Sequence, residues 1–144
     1  MTDAWRYIAG LTVGQDISER VTQIAAGRQF SLGKSYSGFG PTGPWLVTPD
    51  EVPNPNDLAL GCSVDGEGLQ NSRTSDLIFP IAELIARLSA IVTLYPGDLI
   101  FTGTPSGVGN ARKPPRYLRV GNVLETWIEG IGRLRNPIIS GDSL

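Results

Sequence analysis

The stretch LALGCSVDGEGLQN, residues 58–71, decides the fold. Leu58 to Val64 reads as a strand of apolar and small residues. Asp65-Gly66 then supplies the two positions at which a type I′ turn needs positive φ. Glu67 to Asn71 is the returning strand. A tight hairpin in mid-chain points to a β-rich molecule, and the punctuation elsewhere agrees. The 18 glycines and 11 prolines are scattered along 144 residues rather than clustered, which predicts many tight turns between short strands.

Toward the C-terminus, Pro80 suits a first helical turn. Ile81, Leu84, Ile85, Leu88 and Val92 repeat at helical spacing, with Glu83 and Arg87 paired on the far face, so one long helix is expected near 80–92. Pro96-Gly97-Asp98 turns the chain into a predicted strand, Leu99 to Thr102. A glycine-rich loop follows, Gly103 to Asn110, then a basic, proline-rich run from Arg112 to Arg119. Gly121-Asn122 is a further turn, and Val123 to Ile128 and Ile131 to Ile138 read as the last strands.

Toward the N-terminus, Tyr7 to Val13 reads as a buried strand. Asp16, with Glu19 three positions on, has the pattern of an N-cap and capping box for a helix from Ile17 to about Ala26, ended by Gly27. Arg28 to Pro44 is an irregular loop of a length that more often serves function than not. Trp45 to Thr48 is a brief strand and Pro49 to Asn56 a polar connection. No internal repeat and no second domain is visible. The fold class predicted is α+β, rich in β.

Composition bounds the function. A net charge of −2 leaves no room for a large basic field, so nucleic acid is not an expected partner. The chain has no histidine, which excludes a histidine base, a histidine metal ligand and a Ser-His-Asp triad within it. Its single cysteine, Cys62, excludes an internal disulfide and a zinc cluster. The longest apolar region, Leu77 to Leu94, is broken by Pro80, Glu83 and Arg87 and does not suit a bilayer. Met1 to Arg6 does not open a secretory signal. A reducing, cytoplasmic setting is expected.

Four features are candidates for chemistry. On a helix starting near Asp16, Arg20 and Gln23 lie four and seven positions further on, on one polar face. A carboxylate, a guanidinium and an amide so placed suit a metal and an anionic substrate, although a simple cap on a solvent-facing helix fits the same spacing. Gly33-Lys34-Ser35 suggests a phosphate loop, but five residues separate it from Gly27 and no helix follows, so that reading fails. Lys34 remains a cation on a constrained loop. The loop TGTPSGVG, Thr102 to Gly109, combines glycines that permit close approach with hydroxyls at Thr102, Thr104 and Ser106. The run Arg112, Lys113, Arg116 and Arg119 reads best as a solvated loop.

Five stretches in this order resemble the catalytic domain of the fumarylacetoacetate hydrolase family. They are YIAGLTVGQDISERVTQ (7–23), FSLGKSYSGFGPTGPWLVTPDE (30–51), LGCSVDGEGLQNSRTSDLIF (60–79), LYPGDLIFTGTPSGVG (94–109) and VGNVLETWIEGIGRLRNPI (120–138). The resemblance implies a mixed β-roll, a homodimer, and a Mg²⁺ or Mn²⁺ site. It also implies action on small 2-oxo or 1,3-diketo acids by C–C hydrolysis, decarboxylation, hydration or tautomerisation. By motif, Asp16 looks like the metal-binding aspartate and Lys34 like the catalytic lysine beside the metal. Arg20, Gln23 and Thr104 resemble substrate contacts. The family's Glu-x-Glu metal ligands and its His-Glu acid/base pair have no counterpart in this sequence. Gly38 stands where a threonine is usual, and Val21 where an aspartate is common. Residues 1–144 are therefore expected to form one catalytic domain truncated at its N-terminus, with a catalytically inactive fragment or interaction subunit as the alternative.

Overall fold

Asp65 takes φ 52° and Gly66 φ 84°, the pair of positive values that a type I′ turn requires. Around this turn β3 (Ala59–Val64) and β4 (Glu67–Arg73) pair antiparallel. In this computed structural model, residues 3–25, 27 and 29–141 are described. The Asp65 carboxylate also ties the turn to the chain beyond it, accepting from Asn122 Nδ2 at 2.7 Å and from the Val123 amide at 2.8 Å. β5 (Val123–Ile128) runs along the other edge of β3, and β6 (Gly132–Pro137) along β5. The sheet order is β4-β3-β5-β6, antiparallel throughout. The ladder of β4 is irregular at one point. Cys62 faces Gln70 and Ser63 faces Gly68, which leaves Leu69 as an extra residue in a β-bulge.

A second, two-stranded sheet pairs β1 (Leu11–Gly14) with β2 (Thr42–Val47) and packs on β5 and β6. Between the sheets lie Val13, Val47, Val52, Leu58 and Ile131, all buried, with Leu11, Ile128 and Leu134 partly buried around them. Each such side chain contributes about 1.5–3 kcal/mol by leaving water. Cys62, Val64 and Leu124 form a smaller cluster flanked by Ile17, Leu69 and Ile138. Trp45 lies at the rim, and its indole Nε1 donates to the Ile131 carbonyl at 2.5 Å. The strand-rich α+β class read from sequence is the class observed.

Several element bounds differ from the sequence reading, and each difference has a local cause. Tyr7 to Val13 is not one strand: Ala4–Tyr7 forms a 3₁₀ turn, and pairing begins only where Leu11 meets Val47. β2 starts earlier than Trp45, because Thr42 and Gly43 reach Gly14 and Val13 across the ladder. The helix expected near 80–92 is α2 (Ile81–Ser89) and is shorter. The Ile91 and Val92 amides both return to the Leu88 carbonyl at 2.9 Å, closing its last turn. Among the described residues, Leu99 to Thr102 pairs with no strand. Leu99 is 61% exposed there, while Phe101 turns its ring onto Gly14. No helix among the described residues is long and apolar enough to cross a membrane.

Candidate functional site

The segment from Gln15 to Glu19 leaves β1 and enters α1 (Arg20–Ala25), and the capping role falls to a residue other than the one predicted. Glu19 is the acceptor at the helix start: its two carboxylate oxygens take the Val21 amide at 3.0 Å and the Thr22 amide at 2.6 Å. Hydrogen bonds from the Thr22 side chain and backbone, then from the Val21 amide, hold the Glu19 carboxyl below its ordinary pKa. The helix therefore begins at Arg20 rather than Ile17. Gly27, at φ 68°, follows it in the left-handed conformation that stops a helix, while Ala26 and Arg28 lie outside the described residues.

Released from capping, Asp16 is free to pair across the chain. The Lys34 ammonium contacts Asp16 Oδ2 and donates to Ser18 Oγ at 3.1 Å. Lys34 ends the 3₁₀ turn Leu32–Lys34, and Gly33 explains how that turn comes so near. Gly33 is buried, its carbonyl accepts the Glu19 amide at 2.7 Å, and a Cβ on it would lie 2.7 Å from the Glu19 carbonyl. Only glycine lets the two backbones meet. The pair itself is reachable from solvent, with side chains 31% and 43% exposed for Lys34 and Asp16.

One helical turn along, Arg20 Nη1 donates to Gln23 Oε1 at 2.7 Å, and Gln23 is buried. Asp16 thus pairs with Lys34 across the chain, and Arg20 with Gln23 within α1. Thr104 is exposed and makes its contact elsewhere: its Oγ1 accepts Gln70 Nε2 at 2.9 Å. No hydrogen bond joins it to the other four. Gly38, at φ 77°, has open space where a side chain would stand.

Three polar residues here escaped the sequence reading. Ser18 shares Lys34 with Asp16, and its position two residues from Asp16 was the only signal available. Gln70 also donates to the Pro105 carbonyl at 2.8 Å and accepts from Cys62 Sγ at 3.2 Å. Gln15 donates to Thr126 Oγ1 at 3.0 Å. Burial pushes the Cys62 thiol up in pKa, against hydrogen bonds from Gln70 and Gln15. The basic run is partly neutralised, since Arg116 pairs with Glu67 and Arg112 lies 3.9 Å from the same carboxylate.

Asp16 offers one carboxylate to a divalent ion. Hard ions of this kind take six or more oxygen ligands, usually from several carboxylates and waters. Among the described residues no three His, Cys, Asp or Glu side chains cluster to hold a metal. These residues alone do not complete such a site.

Comparison with known proteins gives the same family from sequence and from shape. The model of the fumarylacetoacetate (FAA) hydrolase C-terminal family matches residues 1–139. Mitochondrial oxaloacetate tautomerase Fahd2a of Rattus norvegicus is 45% identical over 138 residues, which are 96% of this chain and 44% of that protein. The fumarylacetoacetate hydrolase of psychrophilic Exiguobacterium antarcticum superposes with a TM-score of 0.91 at 37% identity, over 96% of this chain and 50% of the other. Fumarylpyruvate hydrolase from Pseudomonas aeruginosa, solved in complex with Mn²⁺ and pyruvate, gives 0.83 at 33% identity, over 96% and 57%. The chain spans about half the length of the relatives it matches.

Proposed function

The chain belongs to the fumarylacetoacetate hydrolase family, and from that membership we propose that it supplies the C-terminal part of a divalent-metal-dependent enzyme domain acting on a small 2-oxo or 1,3-diketo acid. The observation that carries this reading is the Lys34 ammonium seated between Asp16 and Ser18, on a loop whose close approach depends on Gly33. Fixed positive charge at that point favours an oxyanion developing on a bound keto acid. Arg20, with Gln23 bracing it, is the group to hold a substrate carboxylate, and the Thr104 hydroxyl a second oxygen. The Pseudomonas relative bound to Mn²⁺ and pyruvate supports both the ion and the substrate class.

In this reading Asp16 is one ligand of a Mg²⁺ or Mn²⁺ ion, and the remaining carboxylates come from outside the described residues. Such an ion would polarise a keto oxygen. The assembled enzyme is a cytoplasmic homodimer, consistent with the apolar side chains left exposed at Ile78, Ile91 and Leu99.

Mn²⁺ titration followed by paramagnetic broadening of amide signals tests this reading, because it locates even weak binding. Broadening centred on Asp16, Ser18 and Lys34, and abolished by Asp16→Asn, is the expected result. Broadening confined to other carboxylates, or none at all, would remove Asp16 from the metal site and leave the chain with no catalytic role of this kind.

A further inference from the structure

The Gln70 side chain lies partly buried between β4 and the loop that carries Thr104, and its amide is used at both ends. On the sheet side Oε1 faces Cys62 Sγ at 3.2 Å, across the Cys62–Gln70 ladder pair. The thiol donates there, with the amide oxygen toward the sheet and the nitrogen toward the loop. On the loop side Nε2 meets Thr104 Oγ1 at 2.9 Å and the Pro105 carbonyl at 2.8 Å. A carbonyl only accepts, so both amide hydrogens are consumed, one by each partner. Thr104 must then accept at its oxygen, and its own hydroxyl hydrogen is left to point outward.

Backbone packing supports the same contact. A Cβ on Gly107 would fall 2.0 Å from the Leu69 carbonyl and 3.2 Å from Gln70 Cγ. The loop is therefore pressed directly onto β4 beside the amide. Asp98, Tyr95 and the residues before the loop offer no such grip, since their hydrogen bonds close a turn on themselves.

We propose that Gln70 is a positioning residue that clamps the 103–107 loop to β4 and presents the Thr104 hydroxyl as a hydrogen-bond donor to an anionic or carbonyl oxygen of the ligand. The assignment of a keto-acid oxygen as acceptor rests on the function proposed above; the clamp does not. The Pro105 carbonyl, which only accepts, sets which way the amide faces.

Backbone relaxation and side-chain NMR on the purified chain test the clamp without any ligand. In Gln70→Met, order parameters at 103, 104, 106 and 107 should fall from the rigid range, about 0.85, to below about 0.6, while the β3–β5 amides keep theirs and report that the sheet is folded. Gln70→Glu is the second variant. Its carboxylate can donate to neither partner at neutral pH, so the loop should be released there. As pH falls and the carboxyl gains its proton, one donor returns and loop order should recover relative to wild type at the same pH. Loop order unchanged in Gln70→Met, or a Gln70→Glu loop with no pH dependence of its own, would overturn the clamp.

Pyruvate with Mg²⁺ is the probe for the hydroxyl. Gln70→Met and Thr104→Val should each weaken its binding about tenfold, and the double variant no further, because they remove one interaction. Additive losses would deny that Gln70 acts through Thr104. Failure of the wild-type chain to bind pyruvate would overturn the assignment of a keto-acid oxygen to the Thr104 hydroxyl, and the relaxation experiment would still decide the clamp.

Discussion

The four-stranded sheet and the segment from Ile91 to Arg119 are built from similar residues and end in opposite states. In the sheet, β3 has a ladder partner on each side and Asp65 ties its turn to the start of β5. The segment contains Leu99, Ile100 and Phe101, as apolar as any strand in the protein, yet none of them pairs. It is fastened at separate points: Phe101 on Gly14, Thr104 and Pro105 on Gln70, Arg116 on Glu67. Apolar content does not make a strand; a neighbour with free backbone groups does. Local turn chemistry and long-range pairing are different kinds of information, and the two regions separate them.

If that contrast is right, substitutions between the two sheets should cost most. Ile131→Ala, at a side chain 2% exposed, should lose about 2–5 kcal/mol in urea unfolding. A loss below 1 kcal/mol would mean that the sheets are not the stable unit. Gly107→Ala comes next, at about 1–3 kcal/mol, because φ 103° and the Leu69 carbonyl both oppose a Cβ. Its damage should stay within the loop, seen as lower backbone order parameters at 103–109 with β3 unchanged. Gly33→Ala should act likewise at the other loop. The Lys34–Asp16 contact should open while α1 persists, readable from the Lys34 side-chain NMR signals.

Acid should loosen the sheet's outer edge by a smaller amount. Hydrogen bonds from Arg73 and then Ser75 hold the Asp57 carboxyl below its usual range, and those from Ser72 and the Arg73 amide do so for Asp76. A carboxyl whose pKa is lowered by folding stabilises fully above its unfolded value, near pH 4, and that contribution is lost as pH falls through the folded value. Tm should therefore drop below about pH 4, and less steeply in Asp57→Asn. Least of all should follow from Ile91→Ala. At 83% exposure it should change stability by about 0.5 kcal/mol or less, and a larger loss would show the segment to be better packed than its contacts indicate.

What could be read from the sequence divides along the same line. Asp65-Gly66 announced its hairpin because two adjacent residues determine the turn. β5 was legible because the Gly121-Asn122 turn precedes an alternating run, Val123 to Ile128. Leu99 to Thr102 was misread because no local feature tells whether a partner exists. Asp16 looked like a cap by its spacing, but Glu19 takes that role; the partner of Asp16, Lys34, lies 18 residues away and only the folded loop brings it in. Gln70 gave no signal at all, since a glutamine on a strand is ordinary until its opposite number is known.

The bulge at Leu69 has a consequence for anyone redesigning this hairpin. β4 keeps two phases, one on either side of the extra residue, so side chains before and after it no longer alternate on a common count. Deleting one residue to regularise the strand would leave the turn, the sequence composition and most of the ladder intact. It would keep Gln70 opposite Cys62, but it would remove the Leu69 carbonyl onto which Gly107 packs and the Leu69 side chain beside the smaller core cluster. An apparent irregularity is thus the seat of a neighbouring loop, and a protein idealised by straightening it would keep its ladder and lose that seat.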